Sequence, residues 1–240
     1  MMIDHLKRAR LFALAMPLLL IGLVSISGCG GSSSNSGTKA RFVNAIYSSA
    51  ATLTYSGGTI ALNNNPLLQY GSATYYIPIP SATDVFTLTL QSFPTYSTSL
   101  SESINANGYY SFTACGRTDV AATDPRYPEM IFVGDDRTLP GTGNTRLRVI
   151  NAACDSGNVD VFRNSNTVVL AQTYGTGSSY QEFGGGNYTI TVNTAGTSKQ
   201  LVSTSVTLNT GQLYTLTLIE NPTTTPPTYS ALVTNDSNAD

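Results

Sequence analysis

The side chains best placed to do chemistry by type and spacing are Asp155, Asn158 and Asp160, which together offer oxygen ligands of the kind calcium takes. The run Asp155-Ser156-Gly157-Asn158-Val159-Asp160 is not an EF-hand, because the loop's closing glutamate is missing. An Asx turn at Asp155, with Asp160 paired to Arg148 or Arg163 at a strand edge, accounts for the same residues without an ion. Calcium is therefore a weak candidate, and no cofactor is expected. Five acids between residues 119 and 136 (Asp119, Asp124, Glu129, Asp135 and Asp136) interleave with Arg117, Arg126 and Arg137 and read as a solvated, self-paired connection. Tyr75, Tyr76, Tyr109, Tyr110, Tyr174 and Tyr180 are candidates for a sugar-stacking platform, although tyrosines more often fill cores and strand pairs. Gly184-Gly185-Gly186 lies between β runs and lacks a following Lys-Ser/Thr, so it is read as a hairpin turn.

The chain has 240 residues, of which 11% are charged, one is His and three are Cys. Ser and Thr make up about a quarter of it. The one histidine, His5, falls in a segment with the pattern of an export signal, so the mature chain is expected to have no imidazole for a nucleophile-base pair or a His-ligated zinc. Carboxylate-only hydrolysis survives that exclusion, but no two acids are paired by spacing.

Residues 1–28 carry a basic start (Lys7, Arg8, Arg10) and an uncharged apolar run from Leu11 to Ile26. That run is shorter than the roughly 20 residues a spanning helix needs, and Pro17 interrupts it. Ile26-Ser27-Gly28-Cys29 resembles the lipobox of bacterial lipoproteins. The resemblance implies cleavage before Cys29, acylation of that cysteine by palmitate-type chains, and membrane attachment through the lipid. Gly30, rather than an inner-membrane retention Asp, implies the outer membrane. Residues 29–37 form a short Gly/Ser tether. Without residues 1–28 the chain holds nine basic and thirteen acidic residues, a net charge of −4 that disfavours nucleic acid as a partner. Cys115 and Cys154 then remain as a candidate disulfide, of a type that persists outside the cytoplasm if the Cα atoms come within roughly 4.4–6.8 Å.

These residues must be positioned by a duplicated unit. Arg41, Asn44 and Ala45 recur at the same spacing as Arg148, Asn151 and Ala152. Tyr70-Gly71-Ser72 answers Tyr174-Gly175-Thr176, and Phe86-Thr87-Leu88-Thr89-Leu90 answers Tyr188-Thr189-Ile190-Thr191-Val192. Gly108 to Phe112 answers Gly211 to Leu216, and Ile131 to Asp136 parallels Ala231 to Asp236. Five ordered blocks at a separation near one domain length indicate two copies. Tyr188, Ile190 and Val192 alternate with Thr189, Thr191 and Asn193, while Tyr214, Leu216 and Leu218 alternate with Thr215 and Thr217. Period two in Thr, Tyr and Val predicts half-buried antiparallel strands with their Thr faces in water. The predicted fold is all-β: two tandem immunoglobulin-like antiparallel β-sandwich domains, 38–137 and 145–236, joined by a linker at 138–144. Sandwiches joined so closely are expected to touch, though a mobile hinge fits the linker equally.

The second copy resembles the DUF4397 domains of bacterial and archaeal extracytoplasmic proteins over most of residues 145–220. The resemblance rests on Arg146 to Asp155 leading to Val159-Asp160-Val161-Phe162, on Gly186 to Val192, and on Leu208 to Thr215. Asn151 stands where many members have His, and Cys154 where Pro is common. The first copy lacks both matching acids and reads as a diverged copy. The family implies a cell-envelope sandwich and no particular reaction. The expectation is a non-enzymatic envelope lipoprotein that binds or scaffolds envelope proteins or glycans. A carbohydrate-binding or adhesive surface protein is the alternative, and a carboxylate-dependent hydrolase the weaker one.

Overall fold

The computed structural model describes residues 37–61 and 63–237. The expected export signal, Cys29 and the tether through residue 36 lie outside the described residues. Among the described residues there is no helix, and the two copies form the same nine strands in the same order. The first copy contains β1 (Lys39–Asn44), β2 (Ala51–Tyr55), β3 (Gly58–Ile60), β4 (Ser72–Ala73), β5 (Ile77–Pro78), β6 (Thr83–Leu90), β7 (Phe93–Ser103), β8 (Tyr109–Cys115) and β9 (Glu129–Gly134). The second contains β10 (Asn144–Asn151), β11 (Val159–Arg163), β12 (Asn166–Gln172), β13 (Thr176–Gly177), β14 (Gln181–Gly184), β15 (Gly186–Thr194), β16 (Gln200–Leu208), β17 (Leu213–Asn221) and β18 (Thr228–Asn235).

Each copy is a sandwich of two sheets. In the first, β4-β1-β8-β9, with β5 also on β1, packs against β3-β2-β6-β7; in the second, β13-β10-β17-β18, with β14 also on β10, packs against β12-β11-β15-β16. Phe112 meets Phe86 across the first core with ring centroids 4.2 Å apart, and Val149 and Leu216 pack with Val161, Ile190 and Val192 in the second. One pairing in each copy departs from the antiparallel expectation: β1 runs parallel to β8, and β10 parallel to β17. No hairpin joins these partners. The chain between them crosses to the other sheet and returns, which permits a parallel approach.

The outer sheets behave as the alternation predicts. Phe86, Leu88 and Leu90 of β6 are buried while Thr83 and Thr89 are exposed, and Ile190 and Val192 of β15 are buried beside exposed Thr189. The inner sheets do not. Thr215 and Thr217, expected in water, are buried, and every residue of β1 is buried. The cause is that the second face of each inner sheet is covered by the inner sheet of the other copy. Ala45, Cys115 and Ile131 of the first copy pack with Ile150, Ala152 and Ile219 of the second, and each isoleucine contributes about 1.5–3 kcal/mol.

Both copies fall within one compact unit, Asn35–Asp240. The linker is tied down: the Glu182 carboxylate accepts from the Gly141 amide at 2.9 Å and from the Asn144 side chain at 2.7 Å. Asn44 and Asn151 do matching work, since each donates to two backbone carbonyls and accepts from the backbone amide two residues on. They lock the exit of the first strand of each copy.

Candidate functional site between the two copies

Arg41 and Arg148 sit at equivalent places on β1 and β10, one residue out of phase with Phe42 and Val149, so their side chains point away from their own cores and into the layer between the copies. Both are 2% exposed. A guanidinium so placed must find acceptors or lose several kcal/mol. Arg41 donates through Nε to Ser111 at 2.7 Å, and Arg148 through Nε to Thr215 at 2.8 Å, each within its own copy. The remaining bonds cross. Arg41 reaches Thr215 at 3.0 Å and Asp236 at 2.5 Å, while Arg148 reaches Ser111 at 3.2 Å and pairs with Asp135.

The aspartates complete the exchange. Asp135 accepts from Ser111 at 2.7 Å and from Tyr76 at 2.5 Å; Asp236 accepts from Thr215 at 2.5 Å and from Tyr180 at 2.6 Å. Arg41 lies 5.0 Å from the Tyr76 ring centroid, and Arg148 lies 4.9 Å from that of Tyr180. The two half-sets are related residue by residue, as they would be in an isologous dimer. Burial alone pulls the Arg41 pKa down, but Asp236, Tyr76 and Asp135 more than reverse it, so the group stays charged. Arg148 is raised in the same way, its burial offset by Asp135 and Tyr180. Burial pushes the phenols of Tyr76 and Tyr180 up, so they remain donors.

Two clefts flank this cluster at equivalent positions. The first, about 310 Å³, is bounded by Arg41, Asn63, Thr74, Tyr75, Thr234 and Asn235. The second, about 450 Å³, is bounded by Gly134, Asp136, Arg146, Arg148, Ser178 and Ser179.

The opposite end of the layer gathers most of the sequence-predicted site residues, but not in the expected set. Asp155 is held by Arg117 at 2.5 Å and Arg126 at 2.9 Å, both from the first copy. Asp160 accepts from the amides of Ala171 at 2.7 Å and Gly196 at 2.8 Å, rather than from Arg148 or Arg163. Asp155 and Asp160 thus turn their carboxylates to different partners within the fold, two arginines for the first and two backbone amides for the second. Cys154, Asp155 and Glu220 do bring ligand atoms within 4.8 Å of one another. Two arginines on Asp155 disfavour a cation there. Cys154 donates to Glu220 at 2.7 Å, and Glu220 also accepts the Asp155 amide at 2.8 Å.

Cys115 and Cys154 are both free thiols. The Tyr174 hydroxyl donates to the Cys115 sulfur at 3.5 Å, so each thiol has its own partner. Burial pushes both thiols up, which suppresses the reactive thiolate. The loop arginines are only partly self-paired as expected. Arg117 with Asp119 and Arg126 with Asp124 are pairs within the loop, yet Asp135 leaves it for Arg148 and Asp136 for Arg146. Of the six candidate tyrosines, Tyr76, Tyr110 and Tyr180 are buried and Tyr75 is exposed.

Residues 38–162 and 148–240 match the family described as "Domain of unknown function (DUF4397)", in two overlapping stretches that cover both copies. The chain belongs to the DUF4397 family. The overlap, 148–162, contains the second half of β10 and all of β11 except its last residue, Arg163, near the start of the second DUF4397 copy. The first copy thus belongs to the match despite lacking the two acids. No curated protein matches this DUF4397 chain at a significant level.

The reciprocal cluster was missed as a site by sequence reasoning, although Arg41 and Arg148 were found as repeat markers. Its signal was an arginine kept at the same place inside two apolar strands of a chain poor in charge. The last repeat block also needed adjustment. Strand register equates Gly134 with Asn235, so Asp135, not Asp136, is the counterpart of Asp236.

Proposed function

We propose that this DUF4397 protein is a non-enzymatic binding or scaffolding module of the cell envelope, held at the outer membrane by acyl chains on Cys29. The observation that carries the reading is the state of the buried acids. Asp84, Asp135, Asp160, Glu220 and Asp236 are all buried, and each accepts hydrogen bonds or ion pairs from inside the fold. A catalytic carboxylate needs a face open to substrate and a pKa tuned to its task. Carboxylates with saturated partners instead rigidify a frame, and two sandwiches locked face to face form a stiff body.

The lipid half of the proposal is tested by metabolic labelling with a palmitate analogue and by membrane fractionation. Wild type is expected to label and sediment with outer membranes. Cys29→Ala is expected to do neither, and unchanged attachment would defeat the anchor. The binding half is tested by crosslinking the anchored protein in intact cells. Recovery of a reproducible envelope component supports it, whereas a hydrolytic activity abolished by one Asp or Glu substitution would overturn it.

A further inference from the structure

The two clefts beside the charge cluster are equivalent by position but not by chemistry. The first is framed by Thr74 and Tyr75 of the segment between β4 and β5, by Asn63, and by Thr234 and Asn235 of the other copy. It is complete only when both copies are present. Tyr75 is 65% exposed, and among the described residues it is the one aromatic ring among the exposed large apolar side chains. In the second cleft Ser179 takes its place, and the ion pair of Arg146 with Asp136, at 2.6 Å, lies at the rim.

The floor of the first cleft carries charge but offers none. The Arg41 N–H groups go to Ser111, Thr215, Thr234 and Asp236, and two arginines balance two aspartates in the cluster. An anion would find no free cation there. What the cleft does present is an open aromatic face beside an amide and hydroxyl groups. An aromatic face packs against the apolar C–H face of a pyranose, and amides supply both donors and acceptors for ring hydroxyls. A volume near 310 Å³ is at the lower end of the ~300–1,000 Å³ typical of ligand sites, enough for one or two rings.

We infer that the first cleft is a binding subsite for a neutral saccharide, with Tyr75 as the stacking platform and Asn63 as a hydrogen-bonding edge, and that the second cleft has no such function. The inference rests on the binding-module reading and names its ligand class.

The test is calorimetric titration of the full chain with four neutral probes: chitotetraose, cellotetraose, maltotetraose and mannotetraose. Saturable binding of at least one, with a Kd below about 10 mM, is expected. Tyr75→Ala should weaken it about tenfold or more, Tyr75→Phe should retain it, and Ser179→Ala should change it less than about twofold. Because Tyr75 is exposed, its replacement leaves the core intact, and an unchanged unfolding midpoint confirms that. Binding by none of the four probes, or equal binding by Tyr75→Ala, overturns the inference. If crosslinking still recovers an envelope protein in that case, the saccharide assignment fails while the binding-module reading stands. Failure of both experiments removes both.

Discussion

The two ends of the layer between the copies differ in how they treat charge. At one end Arg41, Ser111, Asp135 and Tyr76 are matched by Arg148, Thr215, Asp236 and Tyr180, and each arginine pairs with the other copy's aspartate. At the other end the counterparts have diverged: Cys115 stands at the register position that Ile219 holds in the second copy, and Arg117 and Arg126 of the first copy converge on Asp155 of the second. The difference teaches where duplication leaves room for drift. Losing one partner at the first end strands a buried charge, which costs several kcal/mol. At the second end the arginines border solvent, where a changed pair costs much less.

The largest effect should come from breaking one half of the reciprocal cluster. Arg41→Met and Arg148→Met should each lower unfolding free energy by about 3–5 kcal/mol, read from urea denaturation, because Asp236 or Asp135 is left without its cation. Near-equal losses are expected, since the two halves are equivalent. A loss below about 1 kcal/mol in either would show that the cluster does not hold the copies together. Next in size, Tyr180→Phe and Tyr76→Phe remove one donor each to a buried carboxylate that keeps its arginine. About 1–3 kcal/mol is expected for each.

Much of this is legible in the amino-acid sequence. The repeat blocks marked the residues that face the twofold relation: Arg41 with Arg148, and Tyr70 with Tyr174, whose hydroxyls reach Glu220 and Cys115 of the opposite copy. The glycines that follow, Gly71 and Gly175, hold left-handed backbone at φ 71° and 76°. The outer strands were legible because one face meets water and the alternation is clean. The inner strands were misread at Thr215 and Thr217 for a physical reason: threonine suits a wet face, and only tertiary packing shows that another sheet covers it. The partners of Asp155 and Asp160 differ from those expected for a similar reason. Spacing places carboxylates near one another but does not reveal that arginines from the other copy reach Asp155.

At the second end the effects should be smaller. Asp155→Asn keeps the shape of the side chain but removes the charge that holds Arg117 and Arg126, two groups already shared with Asp119 and Asp124. A loss of about 1–2 kcal/mol is expected, between the surface and buried regimes. A loss matching that of Arg41→Met would erase the contrast between the two ends.

The finest test of the contrast is pH. Burial, only partly opposed by the bonds from Cys154 and Asp155, raises the Glu220 carboxyl above its ordinary value. An acid whose folded pKa is raised binds its proton more tightly in the native state. Its stabilising contribution is therefore full below the unfolded value, near 4.5, and is lost as pH rises through the folded value. Asp136 behaves oppositely: Arg146 and Thr138 hold it down at about 2, so its contribution is present above 3.8 and is lost as pH falls toward 2. Glu220→Gln should thus flatten the decline in the urea midpoint between about pH 4.5 and neutrality, while leaving the acid limb unchanged. Asp136→Asn should flatten only the acid limb, and weakly, because that pair is half exposed. A Glu220→Gln profile parallel to wild type above pH 4.5 would mean that this end of the layer keeps its glutamate as well solvated as a surface group.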